Sequence, residues 1–284
     1  MTSHDVVNRL RKITGERSIG HLGTLDPMAT GVLPLMMGKY TRLAQYFLAA
    51  KKSYRGDIRL GFATDTYDAD GEPAGPDRWP EGSQAITLDR VRAAAARFHG
   101  EMQQMPPQFS AKKIDGQPAY KLARQGKPVE LKPVRIRIDA FEILALEGPV
   151  ASFTIDISSG GYVRSVAHEL GQDLGCGAHL SRLRRTRAGM FTLEDAHTLE
   201  ELEALAGKSD ALEAACVHPR ALLLEMPSVS ADTMALGRLR NGAQANLPEF
   251  SAAPLVKVFA GPRELAAIAK RVAGTLFQPV VVIG

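Results

Sequence analysis

Apolar residues at the start of the chain recur at helical spacing. Val6, Leu10 and Ile13 share one face, which predicts an amphipathic helix over 5–13. The apolar run 32–37 reads as a buried strand, a helix follows near 41–50, and 54–60 alternates as a half-buried strand does. The acidic stretch 64–78 reads as turns, and Thr87 can cap a helix through RVRAAAARF. Val134, Ile136 and Ile138 alternate with Arg135, Arg137 and Asp139, and Phe153, Ile155 and Ile157 alternate with Ser152, Thr154 and Asp156. Both patterns predict strands with one buried and one wet face. A helix is expected over 164–174, behind Gly160-Gly161, and another over 194–215. The stretch 106–132 opens with two prolines and reads as an exposed excursion with a short helix around 117–125. The last sixty or so residues read as a small mixed module ending in a strand over 279–283. His218-Pro219 and Met226-Pro227 break the helices and suggest a boundary near 217–228. The pattern is that of an α+β domain followed by a C-terminal module.

At 284 residues and roughly 150 residues per domain, about two domains are expected. With 45% hydrophobic and 23% charged residues, the chain can offset its ordering entropy, so disorder is not its dominant state. No apolar run comes near the roughly 18 residues of a spanning helix, and the N-terminal MTSHDVVNRLRK has no apolar core of a signal peptide. Cys176 and Cys216 form neither a disulfide framework nor a CxxC metal motif, so two reduced thiols, a cytoplasmic location and no metal site are expected. The net charge is only +4, but it is unevenly spread. Residues 105–137 hold Lys112, Lys113, Lys121, Arg124, Lys127, Lys132, Arg135 and Arg137 against Asp115 and Glu130. Arg182, Arg184, Arg185 and Arg187 form a second cluster, whereas acids gather at Asp65, Asp68, Asp70, Glu72 and Asp77. Such segregation suits a polyanion bound on one face, although solvated surface charge reads the same way.

The loop Gly20-His21-Leu22-Gly23-Thr24-Leu25-Asp26-Pro27-Met28-Ala29-Thr30-Gly31 sets one carboxylate between apolar neighbours. Such an aspartate closes an Asx turn, or it has a cation partner or a task. No Gly-x-Ser-x-Gly elbow and no phosphate-binding Gly-Lys-[ST] loop is present, and His168-Glu169 does not extend to HExxH.

GHLGTLDPMATGVLP resembles the catalytic motif of the TruB-type pseudouridine synthases, which isomerise uridine 55 in the T-loop of tRNA. Lys52-Ser53-Tyr54, with Leu60-Gly61 and the stretch Thr64-Asp65-Thr66-Tyr67-Asp68-Ala69-Asp70-Gly71, is similar to a second motif of that family. Pro106-Pro107-Gln108-Phe109-Ser110-Ala111-Lys112-Lys113 is similar to a third, and Ser159-Gly160-Gly161-Tyr162-Val163-Arg164-Ser165, continuing to Leu183-Arg184-Arg185, to a fourth. The resemblance implies an α+β fold: a catalytic domain over 1–222 on a mixed, mainly antiparallel sheet, and a PUA-like RNA-binding module over 228–284. It implies that Asp26 is the nucleophile, that Tyr54 stacks on the target base and takes part in proton abstraction, and that Arg164 pairs with the aspartate. Leu183 would line the pocket and His21 lie near the flipped nucleotides. Tyr162 is expected among the substrate-binding residues, as are Lys112 and Lys113 of the excursion 106–132, which in the family closes over RNA. Singly, Tyr54 reads as a strand aromatic, Arg164 as a surface arginine and His21 as a core or capping histidine. Only their company gives them a task.

The isomerisation loses no atoms and changes no oxidation state, so no cofactor is expected. The implied partner is the T-stem-loop of tRNA, with no membrane and no obligatory protein partner, and the chain is expected to be a monomer. Relatives usually begin about a dozen residues earlier, with a strand; a start placed too late is the expected reason. Two other readings stand beside the enzyme: a non-catalytic tRNA-binding or folding protein of this fold, and a carboxylate-dependent nucleoside hydrolase. The hydrolase would want a second carboxylate, and none lies close by in the loop.

Overall fold

In the computed structural model the structure describes residues 1–79, 86–109 and 131–284, and the backbone of 113–114 and 117–118. In chain order the first elements are α1 (Ser3–Thr14), β1 (Ile19–His21), β2 (Thr30–Gly31), β3 (Leu35–Met37), a 3-10 helix (Gly38–Tyr46), β4 (Lys52–Leu60), α2 (Leu88–Ala96) and β5 (Gly100–Gln104). Then come β6 (Lys113–Ile114), β7 (Gln117–Pro118), β8 (Val134–Glu147), β9 (Val150–Ile157), α3 (Val163–Leu174), β10 (Ala178–Ala188) and β11 (Phe191–Thr192). The last are α4 (Leu199–Ala204), α5 (Ser209–Ala214), β12 (Ser228–Ser230), α6 (Thr233–Arg240), β13 (Ala245–Asn246), β14 (Leu255–Ala260), β15 (Glu264–Ala273) and β16 (Leu276–Val282). They pack into two compact units. One comprises Met1–Ser3, Gly23–Pro34 and Leu48–Ala196, the other His4–Leu22, Leu35–Phe47 and His197–Gly284.

The first unit is built on a sheet in the order β11-β10-β4-β9-β8-β5, antiparallel throughout, with β2 added in parallel to β10. The alternation in β8 and β9 turns Ile136, Ile138, Phe153, Ile155 and Ile157 into a core shared with Val91 of α2 and with Val166, Ala167 and Leu170 of α3. Thr87 does cap α2, accepting a bond from Arg90 N. Gly175, at φ 79°, ends α3 in the left-handed conformation that a side chain resists. At Gly56 a Cβ would stand 2.2 Å from the Arg182 carbonyl oxygen, so β4 and β10 can run this close only over a glycine.

In the second unit Val7, Leu10, Ile13 and Ile19 form a small core with Leu202 and Leu212 packed against it. Arg9 forks across Glu203, Nη2 donating at 2.9 Å. A five-stranded sheet, β12-β14-β15-β16-β13, carries α6 and a core of its own. Lys257 of β14 is buried at 1% exposure and donates to the carbonyls of Arg220 and Leu222, which ties the connecting segment to the sheet. No helix among the described residues is long and apolar enough to cross a membrane.

Several expectations change. The run 32–37 is not one strand. Only Leu35–Met37 of it is strand (β3), which pairs with β1 in the second unit. Thr30–Gly31 (β2), which pairs with β10 in the first unit, ends before the run begins, and Pro34, with no N–H to give a ladder, lies between the two strands. The helix expected near 41–50 is a 3-10 helix that starts at Gly38. The segment 194–215 breaks at Gly207 (φ 78°) into α4 and α5. Thr198 and Glu201 form a capping box at the start of α4. The helix expected around 117–125 begins instead with the extended β7, paired with β6, and the rest of it lies outside the described residues.

Candidate active site

Asp26 sits in a loop of the first unit bracketed by Gly23 (φ 116°) and Gly31 (φ 96°). At Gly31 a Cβ would lie 2.1 Å from the Arg185 carbonyl oxygen, so that seat admits only glycine. The turn over Asp26 is closed by its backbone carbonyl, which accepts from Ala29 N at 2.9 Å, so the carboxylate is not spent on an Asx turn. Its oxygens face Arg164 instead. Nε donates to Oδ2 at 3.0 Å and Nη2 to Oδ1 at 2.9 Å, a two-point fork. The Arg164 side chain is 5% exposed and the Asp26 side chain 29%, so the guanidinium is held within the protein while the carboxylate stays open to an incoming group.

Arg164 is no surface arginine. It stands in the first turn of α3, where Gln104 grips Tyr162: Tyr162 N donates to Gln104 Oε1, and Gln104 Nε2 donates to Tyr162 O. Ser165 Oγ donates to Met105 O one residue on. The rest of the guanidinium donates to the carbonyls of Thr66 and Phe109, and it pairs with Asp68 at 3.4 Å. Asp68 thus leaves the acidic surface patch that its sequence neighbours suggest. It is 5% exposed, and its Oδ1 accepts from Thr66 Oγ1 and Asp70 N. The backbone reaches this pose through Tyr67, at φ 65°, a conformation that costs a tyrosine on the order of 1–3 kcal/mol. Its ring stacks on His168 of α3 with centroids 3.8 Å apart, which helps to hold it there. A second carboxylate therefore does lie near, but Asp68 is buried and fully engaged, which makes it support for Arg164 rather than the acid of a hydrolase.

Tyr54 and Leu183 come from neighbouring strands, β4 and β10. Tyr54 lies directly opposite Arg185, and Leu183 opposite Gly56. Leu183 is 6% exposed in the core. Burial pushes the Tyr54 hydroxyl up; Arg185 opposes that shift by its charge and a hydrogen bond, and the Asp26 charge adds to it. Lys52, also buried, donates to Leu48 O and Ser159 Oγ, and burial pulls its ammonium down.

Asp26, Tyr54, Tyr162, Arg164 and Leu183 thus all belong to the first unit, with Asp26 and Arg164 in direct contact. His21 ends β1, opposite Leu35, in the second unit. Lys112 lies outside the described residues, and Lys113 is described only for its backbone in β6. Sequence reasoning missed Asp68, Gln104 and Arg185 as site residues. For Arg185 a signal existed: Leu183 and Arg185 share strand parity, so the face that buries one buries the other. For Asp68 and Gln104 we find none.

The family model described as "TruB family pseudouridylate synthase (N terminal domain)" matches residues 11–163 of this chain, more than half of it. The chain belongs to this family. A second model, "tRNA pseudouridylate synthase B C-terminal domain", matches residues 164–228, so the two meet at Arg164. The "tRNA pseudouridine synthase B" of Solibacter usitatus is 44% identical over 99% of this chain and 96% of its own. That of Cupriavidus metallidurans is 40% identical over 97% of this chain and 88% of its own. Among solved structures, a chain of a Cbf5-Nop10-Gar1 complex superposes with TM-score 0.70 at 26% identity, covering all of this chain and 82% of that one. A chain of the archaeal box H/ACA sRNP Nop10-Cbf5 complex does so with TM-score 0.68 at 25% identity, covering all of this chain and 83% of that one. The α+β pseudouridine synthase fold expected from the motifs is therefore the fold of this chain.

The helix that carries Arg164 also holds a titratable group that the site does not use. Glu169 is raised to about 6, chiefly by burial and next by the charge of Asp173. A carboxyl whose folded value lies above its unfolded value near 4.5 favours the folded state when protonated, so stability falls as pH rises from about 4.5 to 6. Glu169→Gln removes that loss. Relative to wild type, its unfolding free energy should climb across this window and level off above it, by about 1 kcal/mol once partial exposure is allowed for. A constant difference between pH 4.5 and 6.5 would refute the assignment.

Proposed function

We propose that this chain isomerises uridine 55 in the T-loop of tRNA to pseudouridine, with Asp26 as the nucleophile on a flipped-out nucleotide. The two-point Arg164–Asp26 pair carries the reading: it fixes the direction of a carboxylate that remains 29% exposed. In the reaction the N1–C1′ bond of uridine breaks and a C5–C1′ bond forms; C5 gives up its proton and N1 gains one. A carboxylate aimed at C1′ or at C6 can hold either fragment covalently while the base turns. The target must leave the stack, at a cost of a few kcal/mol, and stacking on Tyr54 with packing against Leu183 would offset that cost. Tyr162 would contact the same nucleotide, and His21 its flipped neighbours. Residues 1–222 would form the catalytic domain, and residues 228–284 a PUA-like module that binds RNA. The chain would act in the cytoplasm as a monomer, without an obligatory protein partner.

Tritium release from 5-tritiated uridine in an unmodified tRNA transcript tests this, because C5 must lose its hydrogen to bond C1′. The expected result is one tritium per transcript, and none from a transcript with cytidine at position 55. A chain that binds the transcript without release would instead be the tRNA-binding or folding protein.

Lys112, Lys113 and Lys121 would contact phosphates, which supply affinity without sequence information. Changing all three to Ala should weaken tRNA binding and flatten its salt dependence, by about 0.7 to 0.9 in log–log slope per lost contact. Titrations at several salt concentrations check this, and an unchanged slope would leave these lysines merely solvated.

A further inference from the structure

Arg185 is 1% exposed, and no role above uses it. Its Nε donates to Val32 O at 2.7 Å and its Nη2 to Gly23 O at 3.2 Å. Both partners are carbonyl oxygens and neither is an anion, while Lys52 beside it is a second cation. Burying a guanidinium without a carboxylate is costly, and packed apolar side chains would serve the sheet better. What the arginine gains is placement. Gly23 and Val32 bracket the loop that carries Asp26, so one rigid group reaches both ends of it. The backbone of Arg185 adds to the hold: its carbonyl accepts from Val32 N at 2.9 Å, and β2 pairs with β10 through Arg184 and Arg185. On the other side of the same strand pair, Tyr54 faces Arg185 directly across the β4–β10 register.

We propose that Arg185 is the positioning residue of the Asp26 loop: its guanidinium fastens both ends of the loop directly opposite Tyr54, so that nucleophile and stacking ring are held in one frame. This rests on the reading of Asp26 as nucleophile. The planar fork is what the task requires, because fixed donors must reach the carbonyls of Gly23 and Val32 at once. A lysine keeps the buried charge but offers one ammonium on a flexible stem, and it cannot span them.

The test uses the full chain with Arg185→Lys, Tyr54→Phe and both together, measured for folding, tRNA affinity and single-turnover rate. Arg185→Lys should fold and bind tRNA within about twofold of wild type, while its rate constant falls about 10- to 100-fold, as slight misplacement of a reacting group does. In the Tyr54→Phe background the same change should cost clearly less, because the phenol directly opposite Arg185 belongs to the frame that the guanidinium holds. A Lys variant as fast as wild type overturns the proposal. So does a loss seen only in affinity, which would make Arg185 an RNA contact, or a Lys variant that fails to fold, which would make it a support of the sheet alone. Equal losses in both backgrounds overturn the link to Tyr54. Asp26→Asn, measured alongside, separates the two levels. If it is active, the nucleophile reading fails; if it is inactive while Arg185→Lys runs at full speed, only the positioning role fails.

Discussion

Asp26→Asn should leave less than about one per cent of the wild-type rate of pseudouridine formation, a loss in the range typical of nucleophile removal. Binding of the T-stem-loop should change by no more than about twofold, because affinity comes from phosphate contacts and not from the bond-making group. The fold should survive as well. Asparagine has the size of aspartate and can still accept from Arg164, which also keeps Asp68 and the carbonyls of Thr66 and Phe109. Single-turnover conversion with a saturating chain, alongside direct binding, separates these quantities. Turnover above one per cent would remove Asp26 from the nucleophile's place, and a large loss of affinity would mean that it holds RNA instead.

Arg164 should show the second large effect, in two grades. Arg164→Met withdraws the cation from Asp26 and Asp68 and leaves two carbonyls unpaired where the arginine side chain was 5% exposed. Breaking a buried pair from one side costs about 3–5 kcal/mol, so a fall in thermal midpoint should accompany an almost complete loss of rate. Arg164→Lys keeps the charge and loses the fork. It should retain most of the stability and the tRNA affinity yet lose about 10- to 100-fold in rate, since a point charge cannot fix the direction of the carboxylate. The contrast between the variants is the informative quantity. Equal rates for Lys and wild type would show that charge alone is needed, and a Met variant as stable as wild type would show that the buried network contributes nothing to the fold.

Local chemistry in the sequence determined much of this protein. The alternation of Ile136, Ile138, Phe153, Ile155 and Ile157 against polar neighbours fixed β8 and β9 as half-buried strands, because side chains of a strand point to opposite faces in turn. Thr87 capped α2 as its hydroxyl allows, and the helix behind Gly160-Gly161 was legible from its spacing. Motifs around Asp26, Tyr54 and Arg164 were enough to show the resemblance to the family, since each is a contiguous run that can be matched without knowing where the chain returns.

Only the tertiary structure decided which distant groups meet. The apolar run 32–37 looks continuous, yet only Leu35–Met37 is strand, and the chain passes from the first unit to the second between Pro34 and Leu35. The first helix has a clear apolar face, but nothing in its spacing says that Leu202 and Leu212 pack there. Asp68 read as one surface acid among several. It became the buried partner of Arg164 because the chain turns at Tyr67 through a left-handed conformation and brings the carboxylate back onto α3. Arg185 read as one of four clustered arginines, and only the closed strand pair shows it reaching Gly23 and Val32 opposite Tyr54. Periodicity reports which way a side chain faces relative to its own backbone. Its partner across the fold depends on where the chain returns, and that is set by the packing of whole elements.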